Sequence, residues 1–264
     1  MLTTTQALNR ALADELQRDD SVLVYGEDVG RLGGIFRVTE GLQERFGRQR
    51  VFDTPAAEAA IVGSAVGLAI AGFRPVVEMQ FAAYSYPGLE QLIDHVAKYS
   101  MRTRGRVSLP LVIRMPVGGG GKGKEHHAES PEALLAATPG LKVVSPSGPL
   151  EAYELLTQAV RDPDPVVVLE PIRLYGVREG GELGAASIPM HQANIVRNGT
   201  DVTLIGYGAT VRMCLEAAEV LEQEGIRAQV LDLRCLAPLD IASIRDTVRQ
   251  TGRAVVAHEA PLTM

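Results

Sequence analysis

Two groups of residues in this chain are suited to proton chemistry: one isolated glutamate and one adjacent pair of histidines. Glu58 is the only ionisable side chain between Asp53 and Arg74, in a run dominated by Ala, Val, Ile and Gly. A carboxylate at the start of a helix that reads as buried has to be neutralised, paired or used. Burial raises its pKa and fits it to give or take a proton near neutral pH. The plain alternative is a first-turn acid that suits the helix dipole. His126 and His127 stand in Glu125-His126-His127-Ala128-Glu129. Adjacent histidines diverge in direction, and no further His or Cys stands at a supporting spacing, so a zinc site is disfavoured. What is left is a solvated loop or a single catalytic imidazole, a group that titrates close to physiological pH.

The loop Gly118-Gly119-Gly120-Gly121-Lys122-Gly123-Lys124 follows a strand and fits the first seven places of a phosphate-binding P-loop. The eighth place needs Ser or Thr for magnesium and is Glu125, whose charge repels phosphate, so the loop reads as backbone beside a site. No Gly-x-Ser-x-Gly elbow and no dinucleotide fingerprint between strand and helix is present. A net charge of −6 argues against nonspecific nucleic-acid binding, and the scarcity of aromatics against a base-stacking surface. The longest uncharged run, Ala59 to Phe73, is too short to span a membrane and is broken by three glycines. The N-terminus carries no export signal pattern, and Cys214 and Cys235 form no paired motif, which points to a reducing cytoplasm.

The elements that must position these residues alternate between strand and helix, predicting an α/β fold with a parallel sheet covered on both faces. Helices are expected over Thr4 to Gln17, Val38 to Phe46, Pro87 to Arg102 and Leu150 to Val160, with strands at 22–25, 50–53, 75–81, 110–115, 142–144 and 165–169. Thr54 is the expected cap of the Glu58 helix with Pro55 in its first position, and Ser130 the cap of another. Ala59, Gly63, Gly67 and Ala71 form a smooth stripe suited to close helix packing within or between subunits. Residues 1–180 read as a first domain, 181–199 as a linker and 200–264 as a second α/β domain that stops soon after the strand Ala254 to Ala257. That domain looks truncated.

Taken in order, Tyr25-Gly26-Glu27-Asp28-Val29-Gly30, Gly33-Gly34-Ile35-Phe36-Arg37-Val38, Arg50-Val51-Phe52-Asp53-Thr54-Pro55 and Arg74-Pro75-Val76-Val77-Glu78-Met79-Gln80-Phe81 resemble the beta subunit of the thiamine-dependent 2-oxo acid dehydrogenases. His127 with Ser130-Pro131-Glu132-Ala133, then Pro139-Gly140-Leu141-Lys142-Val143-Val144, Leu169-Glu170-Pro171 and His258-Glu259-Ala260-Pro261 extend the resemblance over nearly the whole chain.

The resemblance implies a transketolase-like pyrimidine-binding domain followed by a transketolase C-terminal-like domain. It implies an enzyme active only with an alpha subunit, in an alpha2beta2 heterotetramer that hands its acyl group to a lipoyl acyltransferase core. Thiamine diphosphate would be shared with the alpha subunit, which would hold the magnesium. On this resemblance Glu58 hydrogen-bonds the pyrimidine ring nitrogen, Gln80 and Tyr84 line the pyrimidine pocket, and His127 donates a proton during reductive acylation. Leu109, Leu111, Val112, Ala159, Asp162 and Asp164 match positions that hold a potassium ion, largely through backbone carbonyls. The substrate would be a branched-chain 2-oxo acid, which the Glu125-His126-His127 and Ser130-Pro131-Glu132 segments favour, or pyruvate. A noncatalytic assembly partner is the alternative from a different class.

Overall fold

A computed structural model of the protein describes residues 1–120, 125–184 and 188–261. The P-loop-like stretch 121–124, three residues of the expected linker and the terminal Leu262-Thr263-Met264 lie outside the described residues. The elements are β1 (Leu2–Thr3), α1 (Thr4–Arg18), β2 (Val22–Gly26), α2 (Leu42–Phe46), β3 (Val51–Asp53), α3 (Glu58–Ile70), β4 (Arg74–Glu78), α4 (Tyr99–Arg102), β5 (Val112–Val117) and α5 (Glu132–Ala136). Then come β6 (Lys142–Val144), α6 (Pro149–Arg161), β7 (Val166–Pro171), β8 (Arg178–Glu179), β9 (Asn194–Arg197), β10 (Val202–Gly206), α7 (Ala209–Gln223), β11 (Ala228–Asp232), β12 (Cys235–Ala237), α8 (Ile241–Thr251) and β13 (Ala254–Val256).

The main sheet runs β12-β6-β7-β5-β4-β2-β3 and is parallel except at β12. Successive strand residues face opposite sides, so β2 sends Val22 and Val24 into one core and Leu23 and Tyr25 into the other. The first core is closed by Leu8, Leu12 and Leu16 of α1 against Leu155, Leu156 and Ala159 of α6. Burying each of these leucines contributes about 2 kcal/mol. The second is closed by Ile61, Val62 and Ala65 of α3 with Leu92 and Val96. A reciprocal cap starts α1: Thr3 Oγ1 accepts the Gln6 N–H while Gln6 Oε1 accepts the Thr3 N–H. A smaller sheet, β13-β10-β11-β9, packs α7 on one face and Ile244 and Val248 of α8 on the other. The α/β reading with a dominant parallel sheet and a second α/β unit holds.

Several local expectations give way to tertiary contacts. The Glu58 helix starts at Glu58 itself, not at Pro55. Thr54 N–H bonds the Gly26 carbonyl at 3.0 Å, which keeps that residue extended beside β2, and a residue before proline is already biased that way. The helix is also not buried all round, because Ala59, Ala60, Ser64, Gly67 and Ile70 are exposed. The expected helix from Pro87 to Arg102 is a 3₁₀ segment (Ala82–Gly88), a π segment (Gln91–Val96) and the short α4. There Ala97 N–H bonds the Leu92 carbonyl, and the widened turn lets Gly140 press on the Ala97 carbonyl where no side chain fits. The helix expected from Val38 starts only at Leu42, since Thr39 Oγ1 bonds the Val29 carbonyl and Gly41 adopts φ +75°. Ser130 does not cap α5, whose cap is Pro131. Strand β9 lies inside the stretch expected to be a linker, and β12 leaves the second half of the chain to pair with β6.

The two halves are joined by buried polar contacts as well as by β12. Ser147 Oγ–H donates to Asp232 Oδ2 at 2.6 Å, and the Arg234 N–H donates to Oδ1 at 2.9 Å. The fully buried Arg234 guanidinium bonds Glu151 at 2.6 Å and the carbonyls of Pro189 and Gln192. Burial pushes the Asp232 carboxyl up from 3.8 to about 7. A raised acid binds its proton more tightly folded than unfolded, so its contribution is fully present below about pH 4 and lost as pH rises toward 7. Asp232→Asn should therefore flatten the fall in thermal midpoint between pH 5 and pH 8. Equal slopes for the two proteins in calorimetry would reject this source.

Candidate active site

The chain leaving β2 runs toward β3 on one side, whereas the chain leaving β4 runs toward β5 on the other. Their carboxyl ends form a switch point, where open parallel sheets leave a crevice. Glu27 and Asp28 follow β2, and Gln80 follows β4. Gln80 Nε2–H donates to Asp28 Oδ2 at 3.1 Å, tying the two sides together. Glu58, at the first position of α3, is half-buried beside them. Burial, then the charges of Asp28 and Glu58, pushes the Glu27 carboxyl up. Asp28 is held at φ +59°, a left-handed conformation unusual for any residue but glycine and common where a site fixes its backbone.

The other wall is aromatic. Phe81 packs edge-on against Tyr84 and His127, with ring centroids 5.5 and 4.6 Å away. Tyr84 O meets His127 Nε2 at 3.0 Å, and His127 Nδ1 meets the Glu125 carbonyl at 2.7 Å. A carbonyl only accepts, so Nδ1 carries the proton and Nε2 of the neutral ring accepts from the Tyr84 hydroxyl. Gly88 brings Tyr84's segment against the start of α3: a Cβ there would lie 3.0 Å from the Glu58 carbonyl. The structure thus gathers Glu58, Gln80, Tyr84 and His127 at one sheet end. His126 stays exposed at φ +63° and joins none of these contacts.

The carbonyl set lies elsewhere, at the amino ends of β5 and β7 and the end of α6. Leu109, Leu111, Val112 and Ala159 are buried, while Asp162 and Asp164 are half-buried. The carbonyls of Leu109, Leu111 and Ala159 accept from the N–H groups of Leu111, Val166 and Asp162. Arg74 Nη1 donates to the Asp162 carbonyl at 3.3 Å, and Lys142 Nζ bonds the Asp162 carboxylate at 2.7 Å.

Beneath the crevice lies a cluster that sequence reading did not single out. Arg114 is buried in β5, with Nη1 2.6 Å from Glu78 Oε2 and Nε and Nη2 2.7 and 2.9 Å from the two oxygens of Glu170. Tyr175 O–H donates to Glu170 Oε2 at 2.7 Å. Burial pushes the Glu78 carboxyl up, against the lowering pull of Arg114. Glu78 Oε1 also lies under Gly34, where a Cβ would come within 2.7 Å of it. The available signal was charge inside apolar strands, Val-Ile-Arg114-Met and Val-Leu-Glu170-Pro, since such charges are buried only when paired.

A doubly covered parallel sheet with its crevice at the switch point, followed by a smaller sheet, is the layout of a transketolase-type protein. Residues 1–178 match the family model "Transketolase, pyrimidine binding domain", and residues 191–264 match "Transketolase, C-terminal domain". The fold is shared with a solved structure, "Split gene transketolase, inactive beta4 tetramer", at TM-score 0.83 and 24% identity, covering 98% of this chain and 80% of that one. The chain is 49% identical to the 3-methyl-2-oxobutanoate dehydrogenase subunit beta of Mycobacterium tuberculosis (strain ATCC 25618 / H37Rv), over 100% of its length and 76% of the relative's. It is 48% identical to the pyruvate dehydrogenase E1 component subunit beta of Bacillus subtilis (strain 168), and 46% to that of Acholeplasma laidlawii, each over 98% of this chain and 80% of the relative. The chain belongs to the family of beta subunits of the pyruvate and branched-chain 2-oxo acid dehydrogenases. Among the described residues, no helix is long and apolar enough to cross a membrane.

Proposed function

We propose that this chain is the beta subunit of the decarboxylating component of a 2-oxo acid dehydrogenase, working with an alpha subunit in a heterotetramer and with a lipoyl acyltransferase core. The observation that carries the reading is the half-buried Glu58 at the start of α3, close enough to Glu27 for its charge to act there, at the sheet end that also holds Gln80, Tyr84 and His127. That set suits an aminopyrimidine: a carboxyl O–H to donate to a ring nitrogen, Gln80 for polar substituents and Tyr84 with Phe81 for the ring face. Thiamine diphosphate bound there supplies an electron sink for decarboxylation. Magnesium falls to the alpha subunit.

Glu58, as the acid, would donate a hydrogen bond to the ring nitrogen, which has a lone pair and no proton of its own, and pass its proton to it. Tyr84 and Gln80 would orient the ring. His127 Nε2, already hydrogen-bonded to Tyr84, would carry the proton delivered during acyl transfer to a lipoyl group. Its Nδ1–H bond to the Glu125 carbonyl fixes which nitrogen faces the crevice. A potassium ion would take the carbonyls of Leu109, Leu111, Val112, Ala159, Asp162 and Asp164, each of which can offer a second lone pair. If so, replacing potassium by lithium should lower the thermal midpoint of the assembled enzyme, and no change would remove the ion from the proposal.

A first domain over 1–180, a linker whose expected stretch 181–199 is shortened by β9 of the second sheet, and a cytoplasmic location belong to the same reading, the last supported by the buried free thiols of Cys214 and Cys235. The substrate in this reading is a branched-chain 2-oxo acid, with pyruvate as the alternative. Mixing the chain with an alpha subunit and following decarboxylation with an artificial electron acceptor tests the reading. The expected result is turnover of 3-methyl-2-oxobutanoate with a higher kcat/KM than pyruvate. Assembly without turnover of either acid would leave only the noncatalytic partner.

A further inference from the structure

The loop that carries His127 is closed at its neck, where the Gly118 N–H bonds the Glu129 carbonyl at 2.9 Å. On the outside of that neck lies an ion pair between the two halves of the chain, Arg173 Nε to Glu259 Oε1 at 3.0 Å. Arg173 follows β7, whose Glu170 is fixed by the buried Arg114. Glu259 follows β13 and projects from a fixed base. Ala257 N–H bonds the Ile205 carbonyl at 2.9 Å, and the Ala257 carbonyl accepts from Thr210 Oγ1 at 3.0 Å.

The pair fits the loop backbone closely. A Cβ at Gly118 would come 2.6 Å from Glu259 Oε2, and one at Gly120 would come 2.6 Å from Arg173 Cγ. At Gly119 it would meet Arg173 Nη2 at 3.5 Å. Three consecutive glycines therefore lie against one salt bridge, two of them at φ +76° and +123°, where only glycine is unstrained. The returning side of the same loop is fixed by His127 on Tyr84 and, at the neck, by Tyr86 O–H on Glu129 at 3.3 Å.

We infer that Arg173 and Glu259 are positioning residues for His127: the second domain's carboxylate props the glycine neck and so sets where the imidazole stands in the crevice. The inference rests on the proposed role of His127 in acyl transfer. An error of about 1 Å in placing a reacting group can cost up to about 100-fold in rate, whereas chemistry that bypasses that group is spared.

The test uses the chain assembled with its alpha subunit and two assays: decarboxylation with an artificial electron acceptor, and acylation of a lipoyl domain. Glu259→Ala should slow lipoyl acylation about tenfold, with artificial-acceptor turnover within about twofold of the unmodified enzyme. Arg173→Gln cuts the same pair from its exposed side and should do the same with little risk to folding. Added to His127→Ala, either change should slow acylation no further, because residues acting through one group are not additive. A merely structural role would instead lower both assays and add to the His127 loss. Full-rate acylation by Glu259→Ala and Arg173→Gln, with His127→Ala slow, overturns the inference and leaves the proposed function standing. Full-rate acylation by His127→Ala overturns the histidine's assignment and the inference with it.

Discussion

Glu58→Gln, in the chain assembled with its alpha subunit, should lower kcat for decarboxylation by about 100-fold or more, the range expected when a positioned proton donor is lost. The carboxamide keeps the shape of the side chain but has no acidic proton to pass to a ring nitrogen. The fold should hardly notice. Glu58 is half-buried at the first position of α3, and the loss of a first-turn charge costs about 0.5 kcal/mol. The two readings of this acid then separate cleanly. A carboxylate present only for the helix dipole predicts a small change in thermal midpoint and unchanged turnover. A working carboxylate predicts the reverse. Unchanged kcat in Glu58→Gln, measured with the artificial acceptor, would remove the acid from the mechanism.

The largest effect on stability should come from Arg114→Leu. The guanidinium holds two carboxylates that are themselves buried, so its removal leaves Glu78 and Glu170 facing each other without a counter-charge. Breaking a buried pair from one side costs about 3–5 kcal/mol, a large share of the roughly 5–15 kcal/mol that holds an ordinary domain folded. Arg114→Lys should recover only part, because an ammonium cannot reproduce the two parallel bonds to Glu170. Arg114→Leu combined with Glu78→Gln and Glu170→Gln should be more stable than Arg114→Leu alone, as the uncompensated charge is gone. Urea denaturation of the variants measures the order. A triple variant no more stable than the single one would show that shape, and not charge, makes the cluster matter.

How much of this was legible beforehand depends on the range of the interaction. Strands β2, β5, β6 and β7 and helices α1 and α6 were readable because their apolar periodicity is local. The start of α3, the shortened α2 and the broken helix after Gly88 were not. Each is set by one contact with a distant segment: Thr54 on Gly26, Thr39 on Val29, and Ala97 under Gly140. β12 was invisible for the same reason, since three residues have too little pattern to announce that they will cross to the edge of the other sheet.

The isolation of Glu58, the histidine pair, the parallel α/β rhythm and the order of motifs are properties of the chain alone, because they depend on residue type and spacing along it. What only the tertiary structure decided is proximity. It placed Gln80 on Asp28, Tyr84 on His127, Gly88 under Glu58, and the Arg173–Glu259 bridge against the glycine neck. The physical reason is that a parallel sheet forces consecutive strands to be joined by long crossovers. Residues dozens of positions apart then meet at the strands' carboxyl ends, and pairwise contact over that separation leaves no periodic trace in the sequence.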